Sequence, residues 1–307
     1  MERLHERILI YYATCFFFHM NFPTSTISDV RNPEKSSREA VGTQKVVFDG
    51  MFDFKDKIAL VTGSASGIGF QLVKELLRNG VKGASVVDID AEQGATAKKE
   101  LSEEFGAERV VFYHCDVTKS DKLKDVFESS FKHWGGLDIL IGNAGMCKEQ
   151  KWETMISLNC AACVSSTFLG FKYMSKARKG RGGVIVNISS VAGVTPFDIA
   201  PVYSGTKGFV RFFSCALGSE RFYNYNGVRI FAVCPGPTDT PILDDIINYC
   251  PVDIYPTMSE LCVDMAKDYH PQLAEYLAEN IVKLITEAKN GTSWVIANGE
   301  PPCEVPF

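Results

Sequence analysis

Seven short apolar runs recur along residues 51–307, at 57–62, 84–88, 109–115, 138–142, 183–189, 228–233 and 293–297. Each is rich in Val, Ile and Leu with few polar interruptions, the pattern of strands buried on both faces of a parallel sheet. Between them apolar positions return at helical spacing, as in 68–79 and 119–134. Asn79-Gly80 closes the first of these with a pair suited to a helix C-terminus. Strand alternating with helix predicts an α/β fold, a doubly wound parallel sheet in a single domain. Such sheets hold ligands at the carboxyl ends of their strands, so chemistry is expected there.

Two stretches break the rhythm. Residues 237–271 mix prolines, aromatics and the acids Asp239, Asp244 and Asp245. That is long for a connection inside a domain and reads as a lid or substrate loop. Its Leu243, Ile246, Ile247, Tyr249, Ile254 and Tyr255 predict an apolar-lined pocket. The other stretch is residues 1–50. An apolar run at 8–20 follows Arg3 and Arg7, and a polar, Pro- and Ser-bearing segment fills 21–45. The run resembles a signal-peptide core and is short for a membrane span. Three readings stay open: a dispensable, poorly ordered extension, a membrane or secretory signal, or a packed element. Membrane association is not expected unless through residues 8–20.

Composition narrows the class. The chain has 307 residues, 46% hydrophobic, with net charge −5 and no basic block, so no nucleic-acid partner is expected. Ten cysteines are scattered without the spacing of a disulfide framework, which suits reduced thiols and a cytoplasmic location. Cys160-x-x-Cys163 lies in a helix-like stretch without a second pair at zinc spacing, and reads as helix packing. The five histidines form no HExxH pattern, so no metal site is expected.

The first strand runs into Gly63-Ser64-Ala65-Ser66-Gly67-Ile68-Gly69 and then a helix. Glycines let the backbone turn tightly and approach a pyrophosphate, and the helix aims its N–H groups and positive dipole end at the anion. The second strand ends in Asp88. An acid there hydrogen-bonds the hydroxyls of an adenosine ribose and repels a 2′-phosphate, which favours NAD over NADP. Tyr203 and Lys207, four apart on a helix-like segment, share one face. A free phenol, with a pKa of about 10, is a poor base at neutral pH. A neighbouring ammonium favours phenolate, which can take a proton from an alcohol as hydride leaves. Ser190 follows a strand, where its hydroxyl can hold a substrate oxygen. Strand alternation turns Ser189 the other way.

Taken in order, these motifs resemble the short-chain dehydrogenase/reductase family over the whole of 51–307. The ordered set is the Thr62–Gly69 turn, Asp88, Asp116-Val117, Asn143-Ala144-Gly145, Asn159, Ser190, Tyr203-x-x-x-Lys207 and the stretch from Pro235 to Thr240. The resemblance implies a Rossmann-type fold and NAD-dependent oxidation of a small alcohol. Tyr203 would be the general base, Ser190 the oxyanion stabiliser, Lys207 the binder of the nicotinamide ribose, and Asn159 the holder of a proton-relay water. Gly63, Ser66, Gly67, Ile68 and Gly69 would cradle the pyrophosphate. Asp116 and Val117 would contact the adenine, and Asn143, Ala144 and Gly145 would wall the adenosine ribose. Pro235, Gly236, Thr238 and Thr240 would cover the nicotinamide. Family members form homodimers or homotetramers, so an oligomer is expected.

Within the family the chain is similar to the 15-hydroxyprostaglandin dehydrogenase group through Tyr173-Met174-Ser175-Lys176, Lys151-Trp152-Glu153 and Cys115-Asp116-Val117. It is similar to the insect-type alcohol dehydrogenases through Pro201–Lys207 and the Asn290-Gly291 pair before Trp294. Ala200, three before Tyr203, departs from the polar residue of the prostaglandin enzymes and weighs against prostaglandin as substrate. Gly142 stands where many members have Asn. The alternatives are an idle family member serving as a binding or storage protein, and an NADPH-dependent carbonyl reductase, which conflicts with Asp88.

Overall fold

The computed structural model describes residues 52–243, 250–251, 254–266 and 270–306. Residues 1–51 lie outside the described residues, and with them the apolar run at 8–20 and the polar stretch at 21–45. So do Asp244, Asp245, Ile246, Ile247 and Tyr249 of the irregular segment.

Seven strands run parallel: β1 (Ile58–Thr62), β2 (Gly83–Asp88), β3 (Val110–His114), β4 (Ile139–Gly142), β5 (Gly183–Ile188), β6 (Val228–Pro235) and β7 (Ser293–Ile296). Each falls within two residues of an apolar run in the sequence. An eighth, β8 (Cys303–Glu304), pairs antiparallel with β7 through Trp294↔Glu304 and Val295↔Cys303. Two residues among prolines carry no alternation, so the sequence pattern misses it. The sheet order is β3-β2-β1-β4-β5-β6-β7-β8. Succession reverses between β1 and β4, and the crevice of a doubly wound sheet opens at that switch point.

The helices are α1 (Gly67–Arg78), α2 (Ala91–Phe105), α3 (Ser120–Trp134), α4 (Trp152–Ile156), α5 (Cys163–Met174), α6 (Pro201–Leu217), α7 (Glu220–Asn226), α8 (Met258–Ala266) and α9 (Ala274–Glu287). In α1 the buried residues are Gly69, Leu72, Val73, Leu76 and Leu77, a stripe at helical spacing. That stripe joins Leu277, Ile281 and Ile285 of α9 and covers one face of the sheet with Ala59, Val61, Val184 and Val186. Leu60, Leu140, Ile185 and Ile230 point the other way and meet Leu123 and Phe127 of α3 and Met174 of α5. Apolar residues therefore serve both faces, which is why the strands read as continuous rather than alternating.

Polar locks fix the strand starts. The buried Asp138 carboxylate accepts from the Ile58 amide at 2.9 Å and from Arg181 Nη2 at 2.6 Å, tying β4 to β1 before either reaches the crevice. The nine described cysteines are free thiols, most of them shielded. Cys160 lies in a π-helical turn (Ser157–Ala162), and Cys163 opens α5 behind it. The span Glu149–Met174 is long and apolar enough to cross a membrane by composition, yet it packs on α3, α6 and the strands β4 and β5.

Candidate active site

The carboxyl ends of the strands enclose a cleft of about 700 Å³. Every site residue expected from the sequence lines it except Gly69 and Asn159, which lie against the lining residues Gly63 and Gly145. At one end β1 turns through Gly63, whose φ of 62° lies in the left-handed region. A Cβ on Gly63 would come within 2.7 Å of the Ala144 Cα, and one on Gly69 within 2.1 Å of the Gly63 carbonyl oxygen. The glycines thus permit close approach of three backbone segments. Ser66 precedes α1 with extended backbone and no side-chain capping bond, and no acid occupies the first turn. Unsatisfied N–H groups and an uncancelled dipole end therefore face the cleft beside Gly67 and Ile68, as an anion requires.

The turn is locked from behind. Asn143 Nδ2 donates to the carbonyls of Thr62 and Gly63 at 3.0 and 2.7 Å, and Thr62 Oγ1 accepts from the Asn143 and Ala144 amides at 3.1 and 3.2 Å. Thr62 is a fastening residue that the motif contains but the sequence reading did not single out. Asp88 Oδ2 accepts from the Ala65 amide at 2.9 Å and Oδ1 from the Asp90 amide at 3.0 Å. Its carboxylate is held in the cleft, at the end where an adenosine ribose would lie. Asp116 Oδ1 accepts from the hydroxyl and amide of Thr118, and these bonds hold its carboxyl below the usual range against a smaller opposing effect of burial. Val117 is buried beside it and lines the cleft.

At the other end stand Ser190, Tyr203 and Lys207. Ser190 follows β5, and its Oγ accepts from the Ala192 amide at 3.1 Å, which leaves its hydrogen free to point elsewhere. The Ser189 hydroxyl instead donates to the Lys207 carbonyl at 2.7 Å. Lys207 is 4% exposed, and its Nζ donates to the Ile188 carbonyl at 2.9 Å. Burial lowers its pKa, against smaller raising effects from Cys163, Cys147, Cys234 and Cys160. Nζ lies 5.6 Å from the Tyr203 ring centroid. A Cβ on Gly145 would sit 3.2 Å from Asn159 Oδ1 and 3.3 Å from Lys207 Nζ, so the missing side chain makes room for both. The Asn159 amide is committed: Oδ1 accepts from the Met146 amide at 3.0 Å, and Nδ2 donates to the Met146 carbonyl at 2.9 Å and to Thr206 Oγ1 at 3.0 Å.

The stretch after β6 forms the rim. The Gly236 amide donates to the Ile296 carbonyl at 2.9 Å, Thr238 Oγ1 to the Gly236 carbonyl at 2.9 Å, and Thr240 Oγ1 to the Thr238 carbonyl at 3.1 Å. The buried Gln272 braces it from outside through Thr238 and Ile296. The apolar part of the cleft corrects the sequence expectation. Leu243 lines it, but Ile254 and Tyr255 are 79% and 50% exposed and do not. The wall comes instead from Phe197, Ile199, Ala200, Met146, Leu158 and Ile242. Phe197 and Ile199 lie in a loop between β5 and α6 without periodicity, so the sequence gives no signal for them.

A glycine-lined anion cradle, a strand-end acid and a Ser–Tyr–Lys group on one cleft define a nucleotide-dependent redox fold. A sequence profile described as short chain dehydrogenase matches residues 57–249, more than half of the chain. The chain belongs to this family and is one of its oxidoreductases. It is 39% identical to 15-hydroxyprostaglandin dehydrogenase [NAD(+)] of Bos taurus over 237 residues, 76% of this chain and 88% of that one. It is 27% identical to alcohol dehydrogenase 1 of Ceratitis cosyra over 244 residues, 79% and 92% of the two chains. Among solved structures, L-sorbose reductase from Gluconobacter frateurii, complexed with NADPH and L-sorbose, superposes with a TM-score of 0.68 at 25% identity, covering 80% of this chain and 97% of that one.

Proposed function

We propose that the chain oxidises an apolar secondary alcohol to the carbonyl with NAD as acceptor. The observation that carries this reading is the placement of Ser190, Tyr203 and Lys207 on the same cleft as the glycine turn and Asp88. NAD, when bound, supplies the electrophilic ring that accepts hydride. Tyr203 takes the hydroxyl proton, and Ser190 donates its free hydrogen to the substrate oxygen. Lys207 stabilises negative charge on the phenol oxygen and holds the nicotinamide ribose. Asn159, with one lone pair of Oδ1 left after the Met146 amide, holds the relay water. The Gly63–Gly69 turn seats the pyrophosphate, with Asp116, Val117 and Asn143 to Gly145 along the adenosine. Pro235, Gly236, Thr238 and Thr240 close over the nicotinamide.

The wall formed by Phe197, Ile199 and Ile242 favours an alcohol with a sizeable apolar body. All the groups used here lie beyond residue 62, and residues 1–50 serve as a dispensable extension. Free thiols suit a reducing, cytoplasmic setting. The reading is tested by following NADH absorbance with a panel of secondary alcohols. Nucleotide binding without NADH formation on any of them would favour the idle, binding-protein alternative.

Asp88 sets the cofactor choice. Asp88→Ala is expected to lower the ratio of kcat/KM for NAD over NADP by about tenfold or more, since juxtaposed like charges cost several kcal/mol. An unchanged ratio would remove Asp88 from that role and reopen the NADPH-dependent reductase.

The proposed unit is a homo-oligomer, a dimer at least. Phe168 of α5 and Phe209 and Phe212 of α6 are exposed, Phe212 by 61%, and Phe213 stacks on Phe209 at 5.6 Å between centroids. Such a patch on a water-facing surface marks an interface. Phe212→Glu is expected to shift sedimentation toward the monomer, and an unchanged sedimentation coefficient would place the interface elsewhere.

A further inference from the structure

We propose that Glu149 is a positioning residue for the reaction: its carboxylate, delivered from the segment after β4, closes the N-terminus of α6 and so holds Tyr203 in place. This rests on the reading of Tyr203 as the proton acceptor.

The need arises from the sequence of α6 itself. A helix start leaves N–H groups without intrahelical partners, and a Ser, Thr, Asp or Asn at the cap normally satisfies some of them. Here the cap is Ala200, which carries no acceptor. Pro201 has no N–H, and the first helical bond is made by the Ser204 amide to the Ala200 carbonyl at 2.9 Å. That leaves the amides of Val202 and Tyr203. Both are taken by Glu149, Oε2 accepting from Val202 at 3.1 Å and Oε1 from Tyr203 at 2.7 Å. One carboxylate thus replaces the missing cap from more than fifty residues upstream, and its charge lies at the positive end of the helix dipole.

Glu149 is 6% exposed. Burial pushes its carboxyl above the ordinary range, while the Tyr203 and Val202 amides oppose the shift. A buried carboxylate is expensive unless its hydrogen bonds are well placed. The Tyr203 carbonyl is fixed as well, accepting from Thr206 Oγ1 at 2.8 Å, and Thr206 is held by Asn159. The backbone of Tyr203 is therefore pinned on both sides. Glu149 stands four residues after Gly145, so the clamp joins the cofactor wall to the phenol. Next to it, Gln150 Nε2 donates to the Cys250 carbonyl at 3.3 Å, linking the same turn to the substrate loop.

The experiment is steady-state kinetics of Glu149→Gln, read per folded enzyme. The amide turns an N–H donor toward one of the two backbone donors, so the clamp opens. The expected result is a fall in kcat of about tenfold to a hundredfold with the KM for NAD little changed, because small misplacements of reacting groups are costly. Glu149→Asp keeps the charge but shortens the reach, and is expected to lose kcat in the same way. Wild-type kcat in either variant, or a loss confined to folded fraction or to the KM for NAD, overturns the proposal. The unmodified chain gives an independent check by hydrogen exchange. The Val202 and Tyr203 amides are expected to exchange slowly although they head a helix, and fast exchange overturns the clamp. If Tyr203→Phe kills turnover while Glu149→Gln does not, only the clamp fails. If Tyr203→Phe keeps turnover, the underlying reading fails.

Discussion

Tyr203→Phe is expected to lower kcat for alcohol oxidation by about 10²–10⁴-fold, the range for loss of a positioned acid or base, while NAD still binds. The prediction is sharp because the substitution removes a single oxygen. The ring remains packed with Ile199, Ala200 and Cys147, and the backbone bonds of Tyr203 do not involve the hydroxyl. The fold and nucleotide binding should therefore survive the substitution. Fluorescence titration with NADH beside turnover measurement checks both halves. Residual activity near wild type would transfer the proton step to another group.

Lys207→Met is expected to cost a further kind of function, and to do so with a distinct signature in stability. Removing a charge that stabilises the phenol oxygen should reduce kcat by about 10²–10³-fold, as for other preorganised electrostatic groups. The stability effect follows from burial, which holds the lysine pKa below its usual value. The folded chain releases this proton at lower pH than the unfolded chain does. Between the lowered value and the ordinary lysine value the unfolded state binds more protons, so this residue makes stability rise with pH. Methionine has no such proton and keeps most of the side-chain volume. The variant should lose that rise, whatever it loses at every pH by giving up the bond to the Ile188 carbonyl. Urea midpoints measured from neutral to alkaline pH test it. An identical pH slope in parent and variant would mean that the amine is not desolvated in solution.

The strands were legible because each must be apolar on both faces, as Leu60 between Ala59 and Val61 shows. Their ends were less so. The apolar run reaches Ser189, but β5 stops at Ile188; beyond it the Ser189 hydroxyl is committed to the Lys207 carbonyl and Ser190 is left to the cleft. β6 runs on to Pro235 because Cys234 and Pro235 find partners in Val295 and Ile296 of β7, which no local pattern announces. The cleft residues named from the ordered motifs are brought together by the fold, with Gly69 and Asn159 one layer back. Glu149 carries no local signal because its partners, Val202 and Tyr203, lie on an element formed much later in the chain. The apolar wall is only partly legible for a related reason. Ile254 and Tyr255 are hydrophobic by composition, but only the fold decides which way such residues face in an irregular loop.

β8 bears on how the molecule keeps to itself. A sheet margin with bare amide and carbonyl groups invites a stranger's backbone to lie alongside. At the β7 margin that invitation is already answered by the chain's own tail, and Arg211 fastens the tail through the carbonyls of Val305 and Pro306. The tail is only two paired residues long and hemmed by Pro301, Pro302 and Pro306, so it makes a poor template for another strand. Edge-to-edge pairing through this flank is thereby discouraged.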